Sequence, residues 1–321
     1  MPKEKFGANY EKFPCFLIPL RAYFKTKNYM GILYLLLSIV ASSYIVLYFK
    51  YLEKFSFHLL PVVAVNYVVC VICGSIDSPH FWTHLCESPK NVFPFGIGLG
   101  FLFISIFFLI GSLTQKAGAG FVAILSKMCV VIPVLFSVLY LHEKINFWNI
   151  SGIFLALVAL VLVQIRKKEV GETTTMSLSL ATMLPAALVF FGSGAIDTSL
   201  KIFNVYYSDA VPESDFSILI FGTAGIVGTV ILTYMYASKR IPFDYHALIA
   251  GIGLGIPNYF SIVFLLKALA YIQGSLFFPL NNIGVVLVVC VLGIVVYREI
   301  YTRLNYVGVF LAIAAILLLA I

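Results

Sequence analysis

A lysine interrupts an otherwise apolar stretch of the sequence, AILSKMCVVIP at residues 123–133. In the hydrocarbon core of a bilayer an ammonium group costs about 2.5 to 3.5 kcal/mol on insertion scales, so Lys127 needs a reason to be there. A lysine in a cavity can anchor an anionic group, or exchange a proton because burial favours its neutral form. The alternative interpretation is structural, either an ion pair with Asp197 or a side chain that reaches towards an interface.

Two other apolar stretches combine a proline with amide side chains, GIPNYF from residue 255 and GSLFFPLNNIGVV from residue 274. Proline has no N–H, so each proline deprives the carbonyl four residues earlier of its helical partner. Freed carbonyls beside amides predict broken helices that form hydrogen-bonding sites inside lipid. The candidate residues are Pro257, Asn258, Tyr259, Pro279, Asn281 and Asn282, and Pro133 would free the Cys129 carbonyl in the same way.

The asparagines have an alternative role as contacts that hold helices together, each worth only about 0.6 kcal/mol. Two consecutive residues cannot share one helix face, so Asn281 and Asn282 must point to different neighbours. Four more polar residues complete the set of candidate substrate contacts, namely Ser42, Asn66, Ser126 and Ser193. A serine often bonds within its own helix, which makes the serines weaker candidates.

The acidic residues near or in the apolar stretches divide into two kinds. Asp197 and Lys201 are four residues apart, so they form a helix pair with either a structural or a coupling role. Glu143 and Glu299 fall in short turns between apolar stretches, where a carboxylate can accept N–H groups at the start of the following helix. We interpret both glutamates as structural.

Two cysteine and histidine patterns receive a structural interpretation. Cys70 and Cys73 form a CxxC among valines and isoleucines, where cysteine behaves as a small hydrophobe. His80 and His84 could hold a metal with Asp77, but one short polar loop offers no further residues to orient the metal ligands. We therefore interpret the two histidines as a solvent-exposed face. No metal or cofactor is expected.

The elements that must position these residues follow from the composition. The chain has 321 residues, of which 61% are hydrophobic and 11% charged, too few charges for a soluble surface. Continuous apolar runs of about 20 residues predict membrane-spanning helices and exclude a barrel of alternating strands. Ten spans are expected, at residues 30–50, 59–75, 94–114, 119–141, 146–165, 178–200, 215–236, 247–269, 274–297 and 303–321.

An internal repeat divides the ten spans. HEKINFWNISGIFLALVALVLV from His142 matches REIYTRLNYVGVFLAIAAILLLA from Arg298 at an offset of 156 residues. A half with five spans, an odd number, must be followed by a half of opposite orientation, so the repeat is inverted, an arrangement typical of secondary transporters. The predicted organisation is a basic tail (1–29), a first five-helix repeat (30–165), a linker (166–177) and a second repeat (178–321). The same offset aligns Ser126 with Asn282, both about 12 Å into their helices.

Ten spans in two halves, each with a glutamate between its last two helices, resemble the drug/metabolite transporter superfamily, EamA branch. The glutamate usually follows a glycine in that family, whereas His142 and Arg298 precede it here. The resemblance implies a carrier of small metabolites in a cell membrane, with both termini in the cytoplasm. The basic residues divide evenly between the two sides, so the positive-inside rule does not decide the orientation.

The expected function is secondary active transport of a small anionic or zwitterionic metabolite, such as an amino acid, by alternating access. Its partners are the substrate, the lipid bilayer and a proton as a candidate coupling ion, with no nucleic acid; the protein is a monomer or a homodimer. The alternative is a receptor or scaffold that uses the same fold without transport. No catalytic triad, carboxylate pair or phosphate loop falls within the predicted spans, so an enzyme is not expected.

Overall fold

The computed structural model describes residues 17–52, 55, 58–117, 119–164, 180–296 and 302–319. Their regular structure is helical, because long apolar segments in lipid must satisfy their backbone groups internally. In chain order the helices are α1 (Leu17–Leu52), α2 (Leu59–Asp77), α3 (Phe81–Glu87), α4 (Val92–Ala117), α5 (Ala119–Met128), α6 (Val131–Leu139), α7 (Phe147–Gln164), α8 (Leu180–Tyr206), α9 (Glu213–Ala237), α10 (Tyr245–Leu269), α11 (Gly274–Val295) and α12 (Arg303–Leu319).

Each of the ten predicted apolar stretches falls on helical structure, and seven helical segments are long and apolar enough to cross a membrane. These are Tyr29–Leu52, Leu59–Asp77, Val92–Ile110, Met183–Tyr206, Glu213–Ala237, Tyr245–Leu269 and Gly274–Val295. Three shorter apolar segments correspond to the other predicted spans, at Leu125–Leu139, Phe147–Val163 and Arg303–Leu319. The chain is therefore a multi-pass integral membrane protein, while the count of ten spans and the inverted repeat stay predictions.

Helices α7 and α12, which carry the strongest sequence repeat, lie against each other through reciprocal contacts. A Cβ added to Gly152 would lie 2.9 Å from Cγ of Leu319, and one added to Gly308 would lie 2.7 Å from the backbone nitrogen of Val163. The offset of 156 residues that relates Gly152 to Gly308 also relates Val163 to Leu319. Small residues at these two points allow the backbones to approach closely.

The first turns of α7 and α12 are also built alike. The side-chain oxygen of Asn149 accepts from the backbone N–H of Asn146 at 3.2 Å, and that of Asn305 accepts from the N–H of Thr302 at 2.8 Å. In each case the residue three positions into the turn satisfies an N–H at the helix start that has no partner within the helix. Asn149 and Asn305 are themselves related by the repeat offset.

The remaining helices form a bundle in which each half lies against the other. Helix α10 contacts α1 and α2, α9 contacts α2 and α4, α11 contacts α1 and α6, and α8 contacts α4, α5 and α6. Large apolar side chains are exposed on the outside of the bundle, including Phe154, Phe191 and Phe310. Such exposure suits a surface that faces lipid tails, and it leaves the polar residues for the interior.

Candidate substrate-binding site

The fourth predicted span is broken directly after its lysine. Helix α5 ends at Met128 and α6 begins at Val131, so Lys127 lies in the last turn of α5. The partial negative charge at a helix C-terminus favours a cation at this position. Pro133 lies just after the break, but the Cys129 carbonyl is not left free, because it accepts the N–H of Ile132 at 2.9 Å.

Lys127 meets groups from two helices of the second half of the chain. Its Nζ donates to Oδ1 of Asn282 on α11 at 3.1 Å. Asp197 on α8 is close enough for the opposite charges of the two side chains to attract each other. Lys127, Asp197 and Asn282 therefore converge here, and the three residues together are called the Lys127 centre below.

Asn281 points away from the Lys127 centre, as its position beside Asn282 requires. Its Oδ1 accepts from the hydroxyl of Ser38 on α1 at 3.2 Å, and the same hydroxyl lies 3.4 Å from the carbonyl oxygen of Ser261 on α10. Asn281 and Asn282 are both buried. Sequence reasoning missed Ser38, although it lies one turn before the candidate Ser42 on the same face of α1.

A second polar cluster joins α2 to α10. Nδ2 of Asn258 donates to Oδ1 of Asn66 at 3.2 Å, and it lies 3.7 Å from Sγ of Cys70. The Cys70 thiol donates to the carbonyl oxygen of Gly255 at 3.3 Å. Cys70, interpreted from the sequence as a small hydrophobe, therefore belongs to this cluster. Its spacing of four residues from Asn66 was the available signal.

The helices that carry the other two prolines are not broken. Helix α10 runs through Pro257 and α11 runs through Pro279 without interruption. The expected breaks at these prolines are therefore wrong. A proline removes one hydrogen bond, and a helix surrounded by neighbours tolerates that loss.

Tyr259 lies apart from both polar clusters in its contacts. Its ring is fully buried, and its hydroxyl donates to Oδ2 of Asp77 at the end of α2, at 2.9 Å.

Nδ1 of His84 lies 2.8 Å from Oδ2 of Asp215 in the first turn of α9. His84 is therefore bound to a buried carboxylate rather than fully solvated. Within the described ranges no group of three His, Cys, Asp or Glu residues could hold a metal ion.

The hydroxyls of three predicted serines do not join the two polar clusters, and their role as substrate contacts stays a prediction. Ser42, Ser126 and Ser193 are partly buried. In the described part of the chain, no hydrogen bond joins the side chains of Ser42 and Ser193 to either polar cluster, and Ser126 contributes its carbonyl oxygen, which accepts from the Cys129 thiol at 2.9 Å.

The expected helix pair of Asp197 and Lys201 does not form. Nζ of Lys201 lies instead 3.0 Å from Oε1 of Glu143, which follows α6, and both side chains are largely buried. A glutamate 58 positions away in sequence thus displaces the local partner. Asp197 is left to interact with Lys127.

Glu143 accepts N–H groups from a helix start, but not from the helix that follows it. Its Oε1 accepts from the backbone N–H of Gly274 at 3.0 Å and its Oε2 from that of Ser275 at 2.8 Å, at the start of α11. Burial alone would raise the pKa of Glu143, but these hydrogen bonds and the charge of Lys201 outweigh it and hold the pKa below its usual value. Glu299 lies outside the described residues.

The conformation of His142 explains why a glycine is usual before this glutamate in the family that the sequence resembles. His142 has a φ of 52°, in the left-handed region that glycine adopts most easily and that histidine adopts less often. The backbone N–H of Glu143 then donates to the carbonyl of Ser137 at 3.1 Å. The chain thus turns sharply after α6 and presents the carboxylate to α11.

Comparisons with known proteins concern the family and the fold of the chain. Residues 29–165 match the model of the EamA-like transporter family. An uncharacterized protein of Haemophilus influenzae is 25% identical over 290 residues, which cover 88% of this chain and 95% of that protein. A crystal structure of a protein 14% identical in sequence has the same fold with a TM-score of 0.70, covering 90% of this chain and 95% of that one. The family match identifies residues 29–165 as EamA-like, as the sequence resemblance predicts and consistent with the drug/metabolite transporter superfamily.

Proposed function

We propose that this protein is a secondary active transporter that carries a small zwitterionic metabolite, such as an amino acid, across the membrane by alternating access. The family match suggests a membrane transporter of small molecules. The observation that carries the finer proposal is the convergence of Lys127, Asp197 and Asn282 inside the bundle.

The Lys127 centre offers a substrate one group of each charge. The ammonium of Lys127 suits a carboxylate, the carboxylate of Asp197 suits an ammonium, and the Asn282 amide can donate and accept. A simple anion would leave Asp197 without a partner and would be repelled by it. This pairing favours a zwitterion over an anion within the two classes that the sequence suggests.

The position of the centre supports alternating access. Lys127 comes from the first predicted repeat, whereas Asp197 and Asn282 come from the second. The reciprocal contacts of α7 and α12 support an inverted arrangement of the halves. Movement of one half against the other would then separate and rejoin the charged groups around a bound molecule.

Transport by purified protein in liposomes provides the experiment. Three probes that share the same uncharged side chain separate the two charges: an amino acid, its N-acetyl form without the ammonium, and its amide without the carboxylate. Of these three, we expect uptake of only the amino acid. Lys127→Met and Asp197→Asn should each reduce that uptake at least tenfold, equal to about 1.4 kcal/mol of binding. Lys144→Met, at an exposed lysine, serves as the matched control.

Two results would contradict the proposal. Undiminished amino acid uptake by both variants would exclude the Lys127 centre as the binding site. Binding of the probe without uptake under any ion gradient would favour a receptor or scaffold. Uptake that follows an imposed pH gradient would identify the proton as the coupling ion.

A further inference from the structure

The start of α11 has the construction of an anion-binding site. Two backbone N–H groups, those of Gly274 and Ser275, point at one carboxylate with N–O distances of 3.0 and 2.8 Å. A buried ammonium, that of Lys201, lies 3.0 Å from the same carboxylate. Helix N-termini bind anions through their free N–H groups and their partial positive charge, and the lysine adds a full charge.

A buried hydroxyl next to this helix start has no partner of its own. Oγ of Ser137 is buried without a hydrogen bond, and a Cβ added to Gly274 would lie 2.6 Å from it, so this hydroxyl adjoins the N–H donors. The Ser275 hydroxyl is also buried, and it is close enough to the carboxylate to interact with it. An unpartnered buried hydroxyl is costly, and that of Ser137 is a spare donor for an anion.

The present occupant of the site is a side chain from a different segment. The ammonium and the N–H groups that hold the carboxylate belong to α8 and α11, whereas Glu143 lies on the turn after α6. That turn passes through the left-handed conformation of His142, which is less favourable than ordinary backbone. The carboxylate is therefore delivered by a tether that is separate from the helices that bind it.

We propose that the start of α11 is a carboxylate-binding site, that Glu143 is its tethered occupant, and that the carboxylate of a small molecule can take the place of Glu143. The ligand class is small monocarboxylates. The carboxylate of a transported zwitterion belongs to this class, an extension that rests on the proposed function. The site itself depends only on the donors described above.

Chemical rescue of the full-length protein tests the proposal independently of transport. Glu143→Ala removes the tethered carboxylate and leaves Lys201 without its counter-charge, so the melting temperature should fall by several degrees. Titration with formate at constant ionic strength should restore at least half of that loss, whereas chloride at the same ionic strength should not. Formate should raise the melting temperature of the wild type far less than that of Glu143→Ala, because the tethered Glu143 competes for the same donors.

Two further variants distinguish a built site from a general effect of formate. Glu143→Ala with Lys201→Met should not respond to formate, because the ammonium is gone. Asp244 also places a carboxylate at a helix start, where its Oδ1 accepts the N–H of His246 at 2.9 Å in an exposed hydrogen bond. Formate should not restore the melting temperature of Asp244→Ala. If Glu143→Ala does not fold, Glu143→Ser also vacates the site and should be stabilised by formate. Absence of rescue in the folded Glu143 variant, or equal rescue without Lys201, would overturn the proposal whatever the substrate.

Discussion

Lys201 and Lys127 both lie inside the helical bundle, and their surroundings satisfy them in opposite ways. Lys201 meets a carboxylate at 3.0 Å, and that carboxylate is held by two backbone N–H groups of α11. Lys127 donates to one amide oxygen at 3.1 Å, and its opposite charge, Asp197, attracts it without forming a salt bridge. The ammonium of Lys201 is thus paired with a carboxylate of the protein, whereas that of Lys127 has one neutral acceptor.

On the proposed function, the difference separates a lysine that is paired within the protein from one that binds the substrate. A buried ion pair persists when its geometry is good and its remaining lone pairs are bonded, which describes Lys201 and Glu143. Lys127 is partly buried, and its one neutral acceptor offsets less of the desolvation cost of the ammonium. On the proposed function a ligand completes the contacts of Lys127, so variants of the two lysines should behave differently.

Replacement of Lys201 should have the largest effect on stability. Lys201→Met leaves the Glu143 carboxylate largely buried without its counter-charge, and removal of one partner from a buried pair costs about 3 kcal/mol. Denaturation of purified protein in detergent, followed by intrinsic fluorescence, measures the change. Lys144→Met is the control, since Lys144 is exposed on the same turn. A stability equal to that of the wild type would mean that the α11 N–H groups alone hold Glu143.

Replacement of Lys127 should affect function far more than stability. Lys127→Met removes one charged hydrogen bond but also removes the desolvation cost of the ammonium, so the free energy of unfolding should change by less than about 1 kcal/mol. Binding of a zwitterion should weaken about 10- to 100-fold, because a charged hydrogen bond contributes about 1.5 to 3 kcal/mol. Thermal melting with and without the amino acid measures both quantities on one sample. A large loss of stability without ligand would make Lys127 a structural lysine like Lys201.

The contrast between these lysines was only partly predictable from sequence. Apolar runs locate the helices because their length and composition are local properties, and Lys127 stands out as a charge within such a run. The partner of Lys201 was predicted four residues away on the same helix, but it comes from a turn after α6. Such a contact depends on how helices pack, which a single sequence does not encode in any local pattern.

The same limit explains the two other differences from expectation. Breaks were predicted at all three prolines, yet the chain breaks only near Pro133, because α10 and α11 are buried among neighbours that hold them through Pro257 and Pro279. Cys70 looked like a hydrophobe because the amide that approaches it, Asn258, belongs to a distant helix. Burial and neighbours, rather than residue type, decide these outcomes.

The pH dependence of stability should report the Glu143 network. The pKa of Glu143 in the folded protein lies below its usual value of about 4.3, despite burial, because of the bonds from Ser275 and Lys201. A lowered folded pKa means that the stabilisation is fully present above the unfolded pKa and is lost as the pH falls through the folded pKa. Melting temperatures measured from neutral pH down to about pH 3 should therefore decline, and Glu143→Gln should flatten that decline. A decline for Glu143→Gln as steep as that of the wild type would assign the acid sensitivity to other carboxyl groups. Glu87→Gln, at an exposed residue, is the control and should decline like the wild type.

The tight packing around the Lys201 network predicts the smallest effect, at Gly274. An alanine Cβ there would lie 2.6 Å from Oγ of Ser137 and 3.0 Å from Cε of Lys201, so Gly274→Ala should cost about 1 kcal/mol. Gly98→Ala is the matched control, because a Cβ at Gly98 meets nothing within 4 Å and alanine favours a helix interior by up to about 1 kcal/mol. Ser137→Ala should relieve the clash, since it removes the hydroxyl that blocks the new methyl group. If the variant with both substitutions were as unstable as Gly274→Ala alone, the loss would arise from the contact of the new methyl group with the Lys201 side chain.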